Sequence, residues 1–451
     1  MRIAIPTTGS RGDVQPYVAL GAGLKARGHE VCLATHSNFE KLVRSHGLDF
    51  YPLEKDGQAL QASDIGDRML QSGGNGLAFL REFTRLRRPL LHDLVHNCWR
   101  ACQGADVILV SSSEFLLADA VAEKERLPVV WTSVMPLAPT RHRESCLFPA
   151  WPRWLPGTSV YNLLTHGLTG WGMWLLLRSA MNRARREVLG LRPVPLYGPV
   201  ASFIAPRLCL DGYSAFVAPA PTDWGAGHHI TGYWFLEADP AWQPSQALSD
   251  FLAAGRPPIC IGFGSMHDRD ASRVTDVIMN ALERSGQRGV LISGWGGLEK
   301  KTASDRVLVL KEAPHSWLFP RMAAVVHHGG AGTTAAALRA GVPSLVVPFM
   351  ADQPFWGRRV HALGVGPKPI FHHRLDVDNL TSSIRQMFDD HEMRQRVADL
   401  GERIRAEDGI GRAVDLLEQF AENGLNRGPR QSLRAAVVSS LRDSFAPGPV
   451  H

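Results

Sequence analysis

Apolar residues recur along this chain in two alternating periods. Short continuous runs, RIAIP at 2–6, EVCLAT at 30–35, DVILVSS at 106–112 and PVVWTS at 128–133, read as strands buried on both faces. Between them lie segments with helical spacing: Val14 to Arg27, ended by Gly28, then stretches near 39–46, 76–103 and 115–126. A short strand at Phe50–Leu53 completes the set. Strand and helix in strict alternation predict a doubly wound parallel sheet, here without a glycine fingerprint of its own. A second series begins at PPICIGFGS, 257–265, followed by a helix over 271–285, strands GVLIS and RVLVL, and a short helix at 315–319. It continues with the strand AAVV at 323–326, an alanine-rich helix from Thr333 to Ala340, the strand SLVVPF, and helices over 377–388, 392–407 and 411–422.

The polar, proline-bearing stretch LEADPAWQPSQ at 236–246 separates the two series and reads as a linker. The expected class is therefore α/β, with two Rossmann-like domains over 1–235 and 247–423. Residues 424–451 read as a basic, mobile tail, with SLRAAVVSSLR as a short basic amphipathic helix.

Residues 141–200 read as irregular, rich in Pro, Trp and Gly. Within them, Trp154 to Leu177 carries no Asp, Glu, Lys or Arg, and Arg178, Arg183, Arg185 and Arg186 follow at once. Pro156, Asn162, His166 and several glycines argue against a membrane span. Three readings stand: an apolar helix bordering a substrate cleft, with Trp171 and Trp174 in the acceptor region; a peripheral membrane contact rimmed by the arginines; or plain core.

Composition narrows the picture little. Over 451 residues, 45% hydrophobic and 20% charged content describe a globular protein, and a net charge of +6 gives no stripe suited to nucleic acid. Six scattered cysteines, with Cys98 and Cys102 one turn apart and no second ligand pair, suggest no metal site and a reducing, cytoplasmic setting. The apolar run at the N-terminus is too short for a signal peptide. The oligomeric state is not legible in the sequence.

The chemistry concentrates in HHGGAGTTAAALRAGVPSLVVPFMADQPFWG, 327–357. A strand, a loop holding Gly329, Gly330 and Gly332, and a helix N-terminus form a phosphate cradle, because the backbone can approach an anion and the first-turn N–H groups point at it. Neither the Walker pattern nor GxGxxG fits. Asp352 and Gln353 follow the next strand, at the strand end where open α/β sheets bind ligands. A carboxylate beside an amide suits adjacent sugar hydroxyls, although Asp352 would also serve as an N-cap.

This stretch resembles the nucleotide-sugar signature of inverting glycosyltransferases, and most of all that of the sterol 3-β-glucosyltransferase branch. TTGSRGDVQPYVALG at 7–21 and YW…WQ…IGFGSM at 233–266 resemble the same branch, so the likeness runs over roughly 1–420. It implies the GT-B arrangement, two Rossmann-like domains facing across a cleft, with UDP-glucose as co-substrate, no cofactor and no metal. By position, His328 resembles the family's diphosphate donor, with Gly330, Gly332, Thr333, Gly264 and Ser265 as further phosphate contacts and Ser10 and Arg11 facing the diphosphate. Asp352 and Gln353 resemble the glucose-binding pair. The base would be read by backbone at Ala313 and stacked by Trp295, since Glu312 stands where plant enzymes carry a tryptophan. Asp13 resembles the aspartate that faces the acceptor as general base, and Glu114 is a candidate partner. Asp13 could also be an N-cap whose pKa the helix dipole lowers. His327 stands open between a structural and a binding role.

The resemblance thus implies transfer of glucose to a lipophilic hydroxyl, in a sterol or sterol-like terpenoid. The alternative is a dTDP- or UDP-sugar-dependent enzyme of polyketide, macrolide or flavonoid products. A nucleotide-sugar epimerase and a binding-only relative are the readings from other classes.

Overall fold

The computed structural model describes residues 1–53, 69, 72, 75–152, 154–196, 198, 208–264, 271–293 and 305–425. The first half runs β1 (Arg2–Pro6), α1 (Arg11–Ala26), β2 (Glu30–Thr35), α2 (Glu40–Ser45), β3 (Asp49–Pro52), α3 (Gly76–Arg87), α4 (Leu91–Ala101), β4 (Val107–Ser111), α5 (Phe115–Glu125) and β5 (Val129–Ser133). It continues through α6 (Thr158–Glu187), β6 (Cys209–Asp211) and β7 (His228–Ile230). The second half runs α7 (Gln246–Ala253), β8 (Ile259–Gly262), α8 (Ala271–Ser285), β9 (Gly289–Ile292), β10 (Val307–Leu310), α9 (His315–Leu318), β11 (Ala324–His327), α10 (Ala331–Ala340) and β12 (Ser344–Val346). The helices α11 (Gln353–Ala362), α12 (Val377–Asp389), α13 (His391–Arg405) and α14 (Gly409–Leu425) close it.

Two parallel sheets result, ordered β3-β2-β1-β4-β5-β6-β7 and β10-β9-β8-β11-β12. Each strand order reverses once, between β1 and β4 and between β8 and β11. At such a switch point the loops leaving two neighbouring strands diverge to opposite faces, and a crevice opens beyond their carboxyl ends. Ile3, Ile5, Leu109 and Leu33 are buried in the first core, and Ile259, Ile261, Val326 and Leu345 in the second.

The structure departs from the sequence reading in three regions. The 76–103 stretch divides into α3 and α4, with Pro89 in a 3-10 turn between them. The strands β6 and β7 went unpredicted because each has three residues, too few for any period to register. The segment read as irregular holds a 30-residue helix, α6, which continues through the arginines. One of its faces buries Trp174, Leu177, Met181 and Ala184, while the other leaves leucines and valine exposed. With apolar residues on both faces the pattern loses the contrast that marks an amphipathic helix.

The last helix returns to the first domain. Ala413, Val414 and Leu417 of α14 are buried in the same core as Val18 and Leu24 of α1. Gly23 makes room for this: a Cβ there would lie 2.2 Å from Ile410 Cγ2. Arg27 adds hydrogen bonds to Asp415 and Glu418, each at 2.7 Å. On the opposite side, Arg358 of α11 donates to Glu144 at 2.8 Å and Arg359 to the Val217 carbonyl at 2.8 Å. The tail beyond 425 lies outside the described residues.

Candidate active site

The second domain presents a helix N-terminus. After β11, Gly329 turns the chain at φ +92, where a Cβ would meet Val346 Cγ1 at 2.5 Å. Gly330 is the N-cap of α10, so the helix starts two residues before the predicted Thr333 and no side chain caps it. Its first-turn N–H groups, at Ala331, Gly332 and Thr333, therefore carry the positive end of the helix dipole outward. A Cβ on Gly332 would meet nothing within 4 Å, so that approach is open. Thr334 Oγ1 turns back to donate to the Gly330 carbonyl at 3.0 Å and stiffens the turn.

The His328 imidazole lies between two glycines. A Cβ on Gly330 would stand 2.5 Å from its Nε2, and one on Gly264 would stand 3.1 Å from its Cε1. Its Nδ1 is buried and has no hydrogen-bond partner among the described residues. Burial first, and the neighbouring His315 second, push its pKa down to about 4. It is therefore neutral near pH 7, able to donate a hydrogen bond but not to act as a cation. His315 is pushed down to about 4 as well, by burial and then by the charge of Arg11. His327, open between two roles in the sequence, accepts the Gly329 N–H at Nδ1 at 3.0 Å, which folds the glycine turn.

Asp352 holds the N-cap position of α11 without a side-chain capping bond and is buried, and its Oδ2 instead accepts from Trp356 Nε1 at 2.6 Å. Burial raises its pKa to about 6 against that hydrogen bond, and the negative charge of Asp13 adds to the rise. Gln353 Oε1 accepts the N–H groups of Phe349 at 2.8 Å and Met350 at 3.2 Å, so the amide shapes the loop that carries both residues.

The first domain presents a second helix N-terminus. Ser10 is the N-cap of α1 and Asp13 sits in its first turn, inside the helix rather than before it. Asp13 Oδ2 accepts from Ser10 N at 2.8 Å and Ser10 Oγ at 2.9 Å. The sequence suggested a lowered pKa here, and the structure corrects this. Burial raises the Asp13 pKa above its ordinary value and outweighs the opposing pull of the Ser10 bonds and His36. A raised pKa makes a better base. His36, at the end of β2, accepts the Gly9 N–H at Nε2 at 3.0 Å and so holds the loop.

Glu114 is fully buried and committed elsewhere. Its carboxylate accepts Arg87 Nη2 at 2.6 Å and the Thr8 hydroxyl, while Arg87 Nη1 donates to Thr8 Oγ1 at 2.8 Å. It props the loop before Asp13 rather than pairing with Asp13.

The two halves meet. The helices α1 and α10 pack against each other, with Ala331 reaching the first core. Arg11 reaches Glu312 across the cleft at 3.7 Å, an exposed and screened pair. Ala313 is half-buried beside it, packed against the second domain. Of the aromatic pair on α6, Trp174 is core, 1% exposed with Nε1 on the Leu196 carbonyl at 3.1 Å, which removes it from any acceptor region. Trp171 lies on the outer face of that helix, 42% exposed. Ser265 and Trp295 lie outside the described residues. Sequence reasoning passed over Trp356, His36 and His315. Trp356 was legible as one helical turn beyond Asp352; the histidines carried no local signal.

The comparisons bear on the same regions. Residues 3–142 match the glycosyltransferase family 28 N-terminal domain, and 300–411 match the erythromycin biosynthesis protein CIII-like C-terminal domain. A sterol 3-beta-glucosyltransferase of Arabidopsis thaliana is 35% identical over 426 residues, covering 92% of this chain and 67% of that protein. This chain belongs to the sterol 3-beta-glucosyltransferase family. A second Arabidopsis thaliana member is 37% identical over 431 residues, covering 92% of this chain and 64% of its own. The Emericella nidulans member is 36% identical over 434 residues, but only 30% of its length is matched. The chain thus spans about two thirds of the plant relatives and under a third of the fungal one. Among solved structures, the calicheamicin glycosyltransferase CalG4 superposes with a TM-score of 0.67 at 16% identity, covering 93% of this chain and 98% of its own. The kitacinnamycin glycosyltransferase matches with the same score at 20% identity. These likenesses establish the GT-B fold of the glycosyltransferase.

Proposed function

We propose that this glycosyltransferase moves glucose from UDP-glucose to a sterol hydroxyl with inversion at the anomeric carbon. The observation that carries the reading is the meeting of two uncapped or acid-bearing helix N-termini in one cleft. The first turn of α10 offers N–H groups to a diphosphate, and the first turn of α1 holds Asp13 opposite Asp352. The sterol acceptor is supported by the likeness to the two Arabidopsis thaliana sterol 3-beta-glucosyltransferases. We assign donor binding to 247–423 and acceptor binding to 1–235.

In this scheme the acceptor hydroxyl loses its proton to Asp13 as its oxygen attacks the glucose anomeric carbon. The bond from that carbon to the diphosphate oxygen breaks on the opposite side. Negative charge grows on the leaving oxygen, where His328, Gly330, Gly332 and Thr333 supply donors. Fixed donors of this kind act without reorganisation. Asp352 and Gln353 hold sugar hydroxyls, Ala313 lies by the nucleoside base, and Ser10 positions Asp13. A reducing, cytoplasmic setting is assigned from the scattered cysteines of the sequence.

The test offers UDP-glucose and dTDP-glucose separately against sterols, macrolides and flavonoids, with product mass spectrometry and Asp13→Ala alongside. A sterol glucoside formed from UDP-glucose and lost in the variant supports the reading. Transfer to macrolides or flavonoids from the dTDP donor would replace it with the natural-product alternative.

A further inference from the structure

The outer face of α6 is apolar, and nothing in the reaction scheme uses it. Val160, Leu164, Leu168, Trp171 and Leu175 are each between 40% and 63% exposed. Their spacing of four, four, three and four residues puts them on one stripe of the helix. Fifteen residues at 1.5 Å per residue make the stripe roughly 22 Å long. Trp154, in the loop that leads into the helix, is 82% exposed. A monomeric soluble surface rarely leaves so many large apolar side chains in a row.

The charge around this stripe is predominantly positive. Arg183 and Arg186 are exposed on the last turns of α6. The neighbouring α3, which packs against α6, adds exposed Arg81 and Arg85, and Arg88 follows it. Arg88 Nη2 reaches Ser179 Oγ on α6 at 3.0 Å, which ties the basic edge to the apolar helix. Over α3, the turn after it and α6, the acidic residues are Glu82, which is buried, and Glu187, exposed at the C-terminal end of α6, against exposed Arg81, Arg85, Arg88, Arg183 and Arg186. No helix among the described residues is long and apolar enough to cross a membrane. An apolar stripe rimmed by arginines instead suits the boundary between acyl chains and anionic headgroups.

We propose that the α6 face, with the arginines of α3 and α6 at its edge, docks the enzyme onto an anionic lipid bilayer. Apolar side chains enter the acyl boundary and the guanidinium groups meet phosphate. Charge complementarity selects this partner over a second copy of the chain, whose matching face would bring the same arginines together. The inference rests on the sterol reading for its purpose, since such an acceptor resides in membranes, but its test does not require turnover.

The full chain would be floated with phosphatidylcholine vesicles and with vesicles holding about a third phosphatidylserine, at low and at high salt. Leu164→Glu/Leu168→Glu and Arg81→Gln/Arg85→Gln/Arg186→Gln would be run beside it. The expected result is binding to anionic vesicles that falls at least about tenfold in either variant and at high salt. Glucosyl transfer to a detergent-dispersed sterol should stay within about twofold in both variants, which separates this inference from the functional reading. Equal binding to neutral vesicles, or binding unchanged in the variants, would overturn it. So would a wild-type dimer in solution that Leu164→Glu/Leu168→Glu dissociates, because the face would then be covered by its own copy.

Discussion

The Trp356 indole donates to Asp352 at 2.6 Å while its ring meets Tyr213 of the other domain edge-on, with centroids 6.3 Å apart. The carboxylate proposed to hold the sugar is thus fixed by a side chain that is itself clamped at the domain interface. The arrangement has an energetic cost. Asp352 has a folded pKa of about 6 against an ordinary value of 3.8, so its contribution to stability is full below the ordinary value and is lost as pH rises through 6. Asp352→Asn removes that loss. Its unfolding free energy should exceed the wild type by ~3 kcal/mol at pH 7.5, with the gap closing towards pH 4. Turnover should fall by ~100-fold or more as the sugar contact goes. Thermal melts at the two pH values decide it; parallel curves would mean that the carboxylate is not strained by burial.

Asp13 acts as a base only when ionised, and burial raises its pKa. The acid limb of the rate profile should therefore lie above the ordinary carboxylate range. Ser10 Oγ donates to the ionised form, so Ser10→Ala should move that limb to still higher pH while donor KM changes little. Asp13→Asn should lose ~1,000-fold or more in turnover with nucleotide binding intact. A limb unmoved in Ser10→Ala, measured by kcat/KM against pH, would remove Asp13 as the titrating group.

Gly330 has φ −60, which any residue can adopt, yet a Cβ there would stand 2.5 Å from His328 Nε2. Gly330→Ala should thus keep the fold and displace the imidazole, lowering kcat by ~10–100-fold. Added to His328→Ala it should cost little more, because the displaced group is already gone. Independent, multiplying effects in the double variant would show that the glycine matters for another reason. His328 itself, at about 4, should contribute no inflection between pH 6 and 8.

The buried Arg87–Glu114 pair should behave as a prop. Arg87→Met leaves Glu114, 0% exposed, without its counter-charge and should destabilise by ~3–5 kcal/mol. Arg87→Met/Glu114→Leu should recover much of that loss, while Thr8 and the loop before Asp13 lose their support. Chemical denaturation and kcat together separate the two effects. A double variant as unstable as the single one would mean that shape, not charge, holds the loop.

The sequence alone determined most of the strand and helix series, the switch to a second α/β unit, and the residues of the glycine loop. Those features are local: a buried parallel strand is a short apolar run, and a glycine turn before a helix is written in consecutive residues. An apolar helix was one of three readings of 154–177, but the full extent of α6 and its buried face were not legible, because exposed apolar residues on its outer face erased the periodic contrast. Trp174 was read with Trp171 because three residues apart says nothing of which face is buried. The direction of the Asp13 pKa was misread for a related reason. The helix dipole is visible in sequence, whereas the burial that outweighs it comes from the cleft. Only the tertiary structure brought α1 and α10 together, returned α14 to the first core, set Asp13 and Asp352 within reach of each other's charge, and gave Glu114 to Arg87. Each of these depends on contacts between residues tens to hundreds of positions apart, and one chain's sequence carries no period that encodes them.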